Sequence, residues 1–392
     1  MNKAYKYLIY PTKEQQTLLA RTFGCCRYVY NQALNWRVAA YRADGTSISY
    51  VDTAKAVTQM KNNPDTAWLK EVDSVALQQA LRSLDAAFKN FWNNKNTGFP
   101  KYKSKHRSRR SYTVPVTNNN VMVFDRAVKL PKLGYVKAKI HRVAPSDWKL
   151  KSATVSQDSD ERYYVSILYE YEKAVRTIEA DPDKTLGLDY KSDGLYVDSN
   201  GDCADMPHYY RKAQKQLARA QRILSRRKGS KKGEPKSRNW EKQRLRVNRI
   251  YAHVKNQRND FLQKRSTGIA NQYDLVAVED LSLKGMSHRG KKRGFRLGKA
   301  INDNGYGMFV NMLAYKLCNR GKRLVKVDRF YPSSQLCQCG YKNPVTRNLS
   351  VRTITCPICG RTYDRDINAA INLKKKAIAY TNLHKQQPFH SR

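Results

Sequence analysis

Acidic residues are scarce in this chain: 32 Asp and Glu stand against 75 Lys and Arg over 392 residues, leaving a formal charge of +43. Self-repulsion on that scale calls for a polyanionic partner, and nucleic acid supplies one more often than an anionic membrane surface does. No run of about 18 apolar residues occurs, which excludes a membrane-spanning helix, and Met1 to Thr12 lacks the apolar core of a signal peptide. A soluble, cytoplasmic protein is expected, nucleoid-associated when bound to DNA. Eight cysteines are too few for a disulfide scaffold in a chain of this length. Cys25, Cys26, Cys203 and Cys318 read as ordinary core or surface residues. No short tandem repeat is present.

What is there can fold. The chain is 40% hydrophobic and carries 26 Tyr, 10 Phe and 5 Trp, far more aromatic surface than a disordered chain holds. Its length suggests two or three domains. A strand at Tyr5 to Tyr10 leads into a capping box, Thr12 and Gln15, that opens a helix to about Tyr41. Helices are predicted over Val51 to Lys61 and Ser74 to Trp92. From residue 110 the period changes to that of strands, with Val121 to Phe124, Tyr135 to Ile140 and Tyr163 to Tyr171 separated by turn residues. The Tyr5 to Tyr10 strand could join them in a small barrel split by the helical insert. From Thr185 the pattern is α/β: a hairpin (Thr185 to Tyr190, Leu195 to Asp198), two long helices, a strand at Leu275 to Val278, a helix near Met308 to Cys318 and a strand at Arg323 to Val327.

The positive charge is concentrated. Residues 211 to 258 hold 18 Lys and Arg against Glu234 and Glu241 alone, while Trp240, Val247, Val254 and Phe261 keep a seven-residue spacing. This predicts a helical hairpin, turned at Gly229 and Gly233, with a cationic outer face including Arg219, Arg222, Arg226 and Lys228. Lys101 to Arg110, with Lys101, Lys103, Arg107 and Arg109, and Arg289 to Lys299 each add six basic residues without an acid. Such segments neutralise phosphates and supply affinity without base identity.

Four cysteines crowd into a short stretch: Cys337-x-Cys339, 16 intervening residues, then Cys356-Pro-Ile-Cys359-Gly360. Four thiolates at this spacing suit a tetrahedral structural zinc, with no position open for catalysis. The first pair is one residue shorter than the usual Cys-x-x-Cys, so its chelate must be tighter or a neighbour such as Cys318 must substitute. A degenerate finger folded without metal and a redox pair are the competing readings.

Because acids are scarce, their positions are informative. Asp189 follows Leu186-Gly187-Leu188, Glu279 follows Leu275-Val276-Ala277-Val278, and Asp366 opens the helix beginning Ile367-Asn368-Ala369. Carboxylates at two strand ends and a helix start can converge on one sheet edge, where repulsion is relieved by cations; a two-Mg²⁺ site for phosphodiester hydrolysis is the chemistry that needs this set. Asp364 competes with Asp366, and Asp280 with Glu279; each could instead cap a turn or helix.

The order of Gly187-Leu188-Asp189, Val278-Glu279-Asp280-Leu281, Phe330-Tyr331-Pro332-Ser333-Ser334-Gln335 and Asp364-Arg365-Asp366-Ile367-Asn368-Ala369-Ala370 around a four-cysteine finger resembles TnpB, a family of transposon-encoded RNA-guided DNA endonucleases related to type V CRISPR effectors. Tyr30-Asn31-Gln32-Ala33-Leu34, Ala76-Leu77-Gln78-Gln79-Ala80-Leu81 and Phe99-Pro100-Lys101-Tyr102-Lys103 extend the resemblance over nearly the whole chain. It implies an α+β multidomain chain. A split, wedge-like β-barrel (1–10 and 99–183) would carry a helical recognition insert (11–98). A RuvC-like domain of RNase H fold (184–328 and 362–376) would hold an inserted zinc finger (329–361), and a tail (377–392) would follow. It further implies Asp189, Glu279 and Asp366 as catalytic Mg²⁺ ligands and Cys337, Cys339, Cys356 and Cys359 as Zn²⁺ ligands. A guide RNA transcribed near the protein's own gene would be held by barrel and hairpin, and a double-stranded DNA target would lie beside a short motif read by the insert and barrel, with Ser74 and Gln78 as further candidate nucleic-acid contacts. The chain would act as a monomer. Tyr190-Lys191-Ser192 departs from the family pattern and could put Lys191 near the metal site. A nuclease-inactive RNA-guided repressor and an RNase H-fold transposase are the alternatives.

Overall fold

The computed structural model describes residues 1–94, 96–231, 233–287, 298–348 and 350–383. The chain divides into two compact units, Met1–Lys173 and Ala174–Arg392. Most of the basic segment Arg289 to Lys299 lies outside the described residues.

In the first unit, β1 (Asn2–Tyr10) runs into α1 (Lys13–Asp44), started by the expected capping box: Gln15 Oε1 accepts from the Thr12 N–H at 3.0 Å, and Thr12 Oγ1 accepts from the Gln15 N–H at 3.3 Å. Gly45, at φ 76°, ends α1 with a left-handed cap. α2 (Tyr50–Asn62) and α3 (Ser74–Asn93) complete the helical part. The strands β2 (Arg110–Pro115), β3 (Met122–Val123), β4 (Ala127–Leu130), β5 (Gly134–Lys139), β6 (Lys149–Gln157) and β7 (Tyr163–Glu170) follow. They form one antiparallel sheet in the order β2-β6-β7-β1-β5-β4-β3. The first strand of the chain therefore sits at the centre of the sheet, between β7 and β5. Tyr7, Ile9, Val155, Val165 and Ile167 share a continuous core with Leu19, Leu34, Leu77, Leu81 and Leu84 of the helices. No ladder joins the edge strands β2 and β3 among the described residues.

The second unit is built on β8 (Thr185–Tyr190), β9 (Tyr196–Asp198), β10 (Cys203–Ala204), β11 (Leu275–Glu279) and β12 (Arg323–Val327), ordered β10-β9-β8-β11-β12. β8, β11 and β12 are parallel. Between β10 and β11 lie α4 (Tyr209–Arg226) and α5 (Arg238–Gln272); α6 (Leu283–Ser287), α7 (Gly298–Asn304) and α8 (Tyr306–Cys318) precede β12. A two-stranded ribbon, β13 (Thr353–Thr355) and β14 (Thr362–Asp364), leads into α9 (Arg365–Leu383). α9 takes in the first residues of the expected tail (377–392), and beyond Leu383 that tail lies outside the described residues.

Alternation along the strands decides which side chains face which layer. Leu186, Leu188, Val276 and Val278 pack with Leu262 and Ile269 of α5 and Phe309, Leu313 and Leu317 of α8. The intervening Leu275 and Ala277 pack with Leu373 and Ala377 of α9. By the same period Asp189 and Glu279, the odd-numbered strand ends, belong to the α9 face. No described helix is long and apolar enough to cross a membrane.

Candidate active site and metal centre

β8 and β11 are parallel and in register, with Leu188 opposite Val278, so Asp189 and Glu279 emerge side by side one residue later. Gly187 brings the third carboxylate to them. A β-carbon there would lie 1.9 Å from the Ala370 carbonyl oxygen, so only glycine lets the α9 backbone rest directly on β8. α9 begins at Arg365, and Asp366 in its first turn reaches the same cleft.

That cleft, about 870 Å³, is lined by Asp189, Glu279 and Asp366 together with Tyr190, Phe330 and Arg352. Burial, then the neighbouring charges of Asp366 and Glu279, push the Asp189 carboxyl up to about 8, and Arg365 works against them. Burial also raises Glu279. Three carboxylates so placed are short of positive charge, the electrostatic signature of a hard divalent-cation site. Part of the deficit is met by Arg352, whose Nη1 donates to both oxygens of Asp366 at 2.9 Å. Tyr306 lies fully buried behind the site, and its hydroxyl is pushed up by burial and then by Asp189 and Glu279.

The competing acids have other partners. Asp364 Oδ1 accepts from the N–H groups of Asp366 at 2.8 Å and Ile367 at 3.0 Å, which makes it the cap of α9. Asp280 faces Arg329 at 3.5 Å and Lys326 at 3.9 Å. Lys191 turns to Asp205 at 3.6 Å and does not line the cleft.

The four finger cysteines converge, with all four Sγ atoms within 4.8 Å of one another. Cys337 and Cys359 lie 3.6 Å apart, Cys339 and Cys356 3.7 Å. A tetrahedron with Zn–S bonds of about 2.3 Å has edges of about 3.8 Å, so the donor set fits zinc. The short first pair closes because Gly340 adopts φ 91° while its N–H donates to Cys337 O at 2.9 Å; Gly360, at φ 67°, does the same for Cys356. Cys318 is exposed and outside the cluster, so no substitute ligand is required. Burial opposes ionisation of Cys356, but the N–H groups of Cys359 and Ile358 aimed at its sulfur draw the thiol down to about 7. The same knuckle docks on α9: Gln338 Nε2 donates to Asn368 Oδ1 at 2.7 Å and Asn372 Oδ1 at 3.0 Å, and both asparagines donate back to Leu336 O.

The basic residues divide by environment. Arg219, Arg222, Arg226 and Lys228 are exposed on α4 and the turn after it. The hairpin has its own small core of Leu217, Ala220 and Val247, tied by Gln243 Nε2 donating to Ala220 O at 2.8 Å. Lys101 and Arg107 are exposed, whereas Lys103 is half-buried with its Nζ 3.7 Å from the centre of the Tyr30 ring, and burial lowers its pKa. Arg109, with Arg27 and Arg110, lines a small cleft next to Ser104 and Ser108. Ser74 and Gln78 of α3 face a groove shared with Tyr50, Lys55 and Lys61 of α2.

Sequence reasoning missed Arg352, one basic residue among 75, for which no pattern exists. Gly187 carried a usable signal, since glycine inside an apolar strand marks a close backbone approach. Asn368 and Asn372 also did, being four apart on one helix face.

Three family models match: "Helix-turn-helix domain" over residues 1–46, "Probable transposase" over 166–290 and "Cas12f1-like, TNB domain" over 306–373. In the structure residues 1–46 form β1 and the single long helix α1. A Streptomyces pristinaespiralis protein named "Putative RNA-guided DNA endonuclease" is 37% identical over 97% of this chain and 90% of its own length. "Putative RNA-guided DNA endonuclease InsQ" of Escherichia coli (strain K12) is 31% identical over 95% of this chain and 91% of its own. Among solved structures, a Cas12f1 chain determined by cryo-EM in a complex with sgRNA and target DNA shares the fold, at TM-score 0.54 and 14% identity, covering 95% of this chain and 98% of that one. With relatives this similar over almost their full length, and with models for OrfB of IS605 and a Cas12f1-like TNB domain aligned in order along it, the chain belongs to the TnpB-like family.

Proposed function

We propose that the protein is a guide-RNA-directed, Mg²⁺-dependent endonuclease that cuts double-stranded DNA next to a short transposon-associated motif. The observation that carries the reading is the convergence of Asp189, Glu279 and Asp366 on one cleft in a chain of charge +43. The relatives' names and the guide-bound complex of the Cas12f1 chain support RNA and DNA as partners.

Asp189, Glu279 and Asp366 would hold two Mg²⁺ through carboxylate oxygens. When bound, the ions supply a water-derived nucleophile at neutral pH and neutralise charge on the attacked phosphate. The rest falls to the protein. β8 and β11 fix two carboxylates in register, Gly187 admits the helix carrying the third, and Asp364 holds that helix start in place. Arg352, which pairs with Asp366 in the free protein, would pair with a non-bridging phosphate oxygen as charge develops there. Ser74 and Gln78 in the α2/α3 groove would read the adjacent motif. The exposed hairpin face and the Lys101 to Arg110 segment would grip RNA phosphates, and base pairing would supply target identity. The wedge-like, recognition, RuvC-like and finger divisions set out from the sequence describe this assignment of tasks.

The test is cleavage of a plasmid carrying the guide-complementary target, in Mg²⁺, by protein loaded with its native guide. Cutting by the wild type that disappears on chelation and in Glu279→Ala is expected; cutting that persists in Glu279→Ala overturns the proposal. The transposase description of one family model favours strand transfer as the second reading, and joined donor ends in the same assay would establish it.

A further inference from the structure

Phe330 is 85% exposed, more than any other large apolar side chain among the described residues, and it lines the carboxylate cleft. Its exposure is not a matter of slack. On its N-terminal side Asp328 Oδ1 accepts from the Phe330 N–H at 2.7 Å, and Arg329 faces Asp280 at 3.5 Å. On its C-terminal side Tyr331 is packed against the α9 layer, its N–H donating to Asp328 O at 3.0 Å, and Ser333 O accepts from Asn372 Nδ2 at 2.8 Å. The backbone is therefore tied down on both sides of a ring that is left in water. A fixed aromatic face beside a phosphate-cutting site in a strongly basic protein has one well-matched ligand, a nucleobase, because every base has a π-face and stacking asks for no particular identity.

We propose that Phe330 is a stacking platform for an unpaired nucleobase flanking the phosphate to be cut, so that the strand enters the site unstacked from its neighbours. This rests on the nuclease reading and adds the form in which the substrate is presented. The ring touches the base and not the reacting phosphate, so its contribution is to substrate placement.

Two measurements test it on the full chain loaded with guide RNA. In the first, target DNA carries 2-aminopurine at successive positions of the cut strand, in a Glu279→Gln background that leaves it intact. Quenching at one or two positions is expected, kept by Phe330→Trp and lost in Phe330→Ala and Phe330→Leu. In the second, Phe330→Ala and Phe330→Leu should cut about tenfold or more slowly with guide and target binding unchanged, while Phe330→Trp stays near wild type. An abasic nucleotide at the quenched position should slow the wild type by the same factor and add little to Phe330→Ala, as expected when both changes remove one contact. Wild-type cutting by Phe330→Leu, or full additivity with the abasic site, would show that the ring only props the turn and overturns the proposal. Should the wild type cut no target at all, the nuclease reading fails, and the fluorescence still decides whether a base stacks on Phe330.

Discussion

Gly187 of β8 and Ala370 of α9 meet backbone to backbone, with no room for a side chain between them. Gly187→Ala forces α9 away from the sheet and carries Asp366 with it. Overpacking against main chain should cost about 3 kcal/mol in denaturant unfolding and abolish cleavage, whereas a glycine replaced by alanine in open space would change little.

Asp189→Ala, Glu279→Ala and Asp366→Ala should each eliminate DNA cleavage while guide-RNA and target binding stay nearly intact. Any double variant should cost little more than a single one, because the three act as a unit. Asp364→Ala separates the roles: it removes a cap worth about 1 kcal/mol of stability and should keep measurable cleavage. Rates of single and double variants on one target, compared side by side, check the whole set.

Arg352→Ala leaves all three carboxylates in place but takes away the guanidinium on Asp366. Single-turnover cleavage should slow about a hundredfold, with target affinity little changed. Arg352→Lys should recover part of the loss. Equal rates for Arg352→Ala and wild type would confine this arginine to an exposed surface pair, the kind worth little.

The finger should carry about one zinc per chain in reduced protein, measured by atomic emission. Cys356→Ser should lower zinc content and loosen the C-terminal region to proteolysis. Acidification should release the metal, since thiolates must be deprotonated to bind it. Full stability of the metal-free protein would instead support a finger that folds without zinc.

Replacing Arg219, Arg222, Arg226 and Lys228 together by Gln should weaken guide-RNA binding and flatten its salt dependence. Each lost phosphate contact removes roughly 0.7 to 0.9 from the slope of log K against log salt. The hairpin's own core keeps the variant folded, because none of the four is buried in it.

Much of the second unit was legible because its signals are local. Leu186 to Leu188 and Leu275 to Val278 are short apolar runs that stop at a carboxylate, and both proved to be strands ending at the cleft. The first unit was less so. β2 and β6 are mixed in sequence and pair with each other from far apart along the chain, whereas β4 lies between its sequence neighbours β3 and β5 and is too short to show a period. Arg352 escaped because its meaning lies in Asp366 across a ribbon turn. Lys103, counted by its charge among the phosphate contacts, has in addition a partner that no charge count shows, the Tyr30 ring under its ammonium.

The hydrogen bonds from Gln338 to Asn368 and Asn372 bear on how such a protein could be re-engineered. Gln338 stands between two cysteines of the finger, and the two asparagines stand within the first two turns after Asp366. The ribbon that follows also delivers Arg352. The finger is consequently not a detachable module: trimming it to make a smaller protein, or exchanging it for another metal knuckle, would unmoor the start of α9 and with it one carboxylate and one arginine of the cleft. A compact version has to keep the α9-facing edge of the knuckle and find its savings elsewhere.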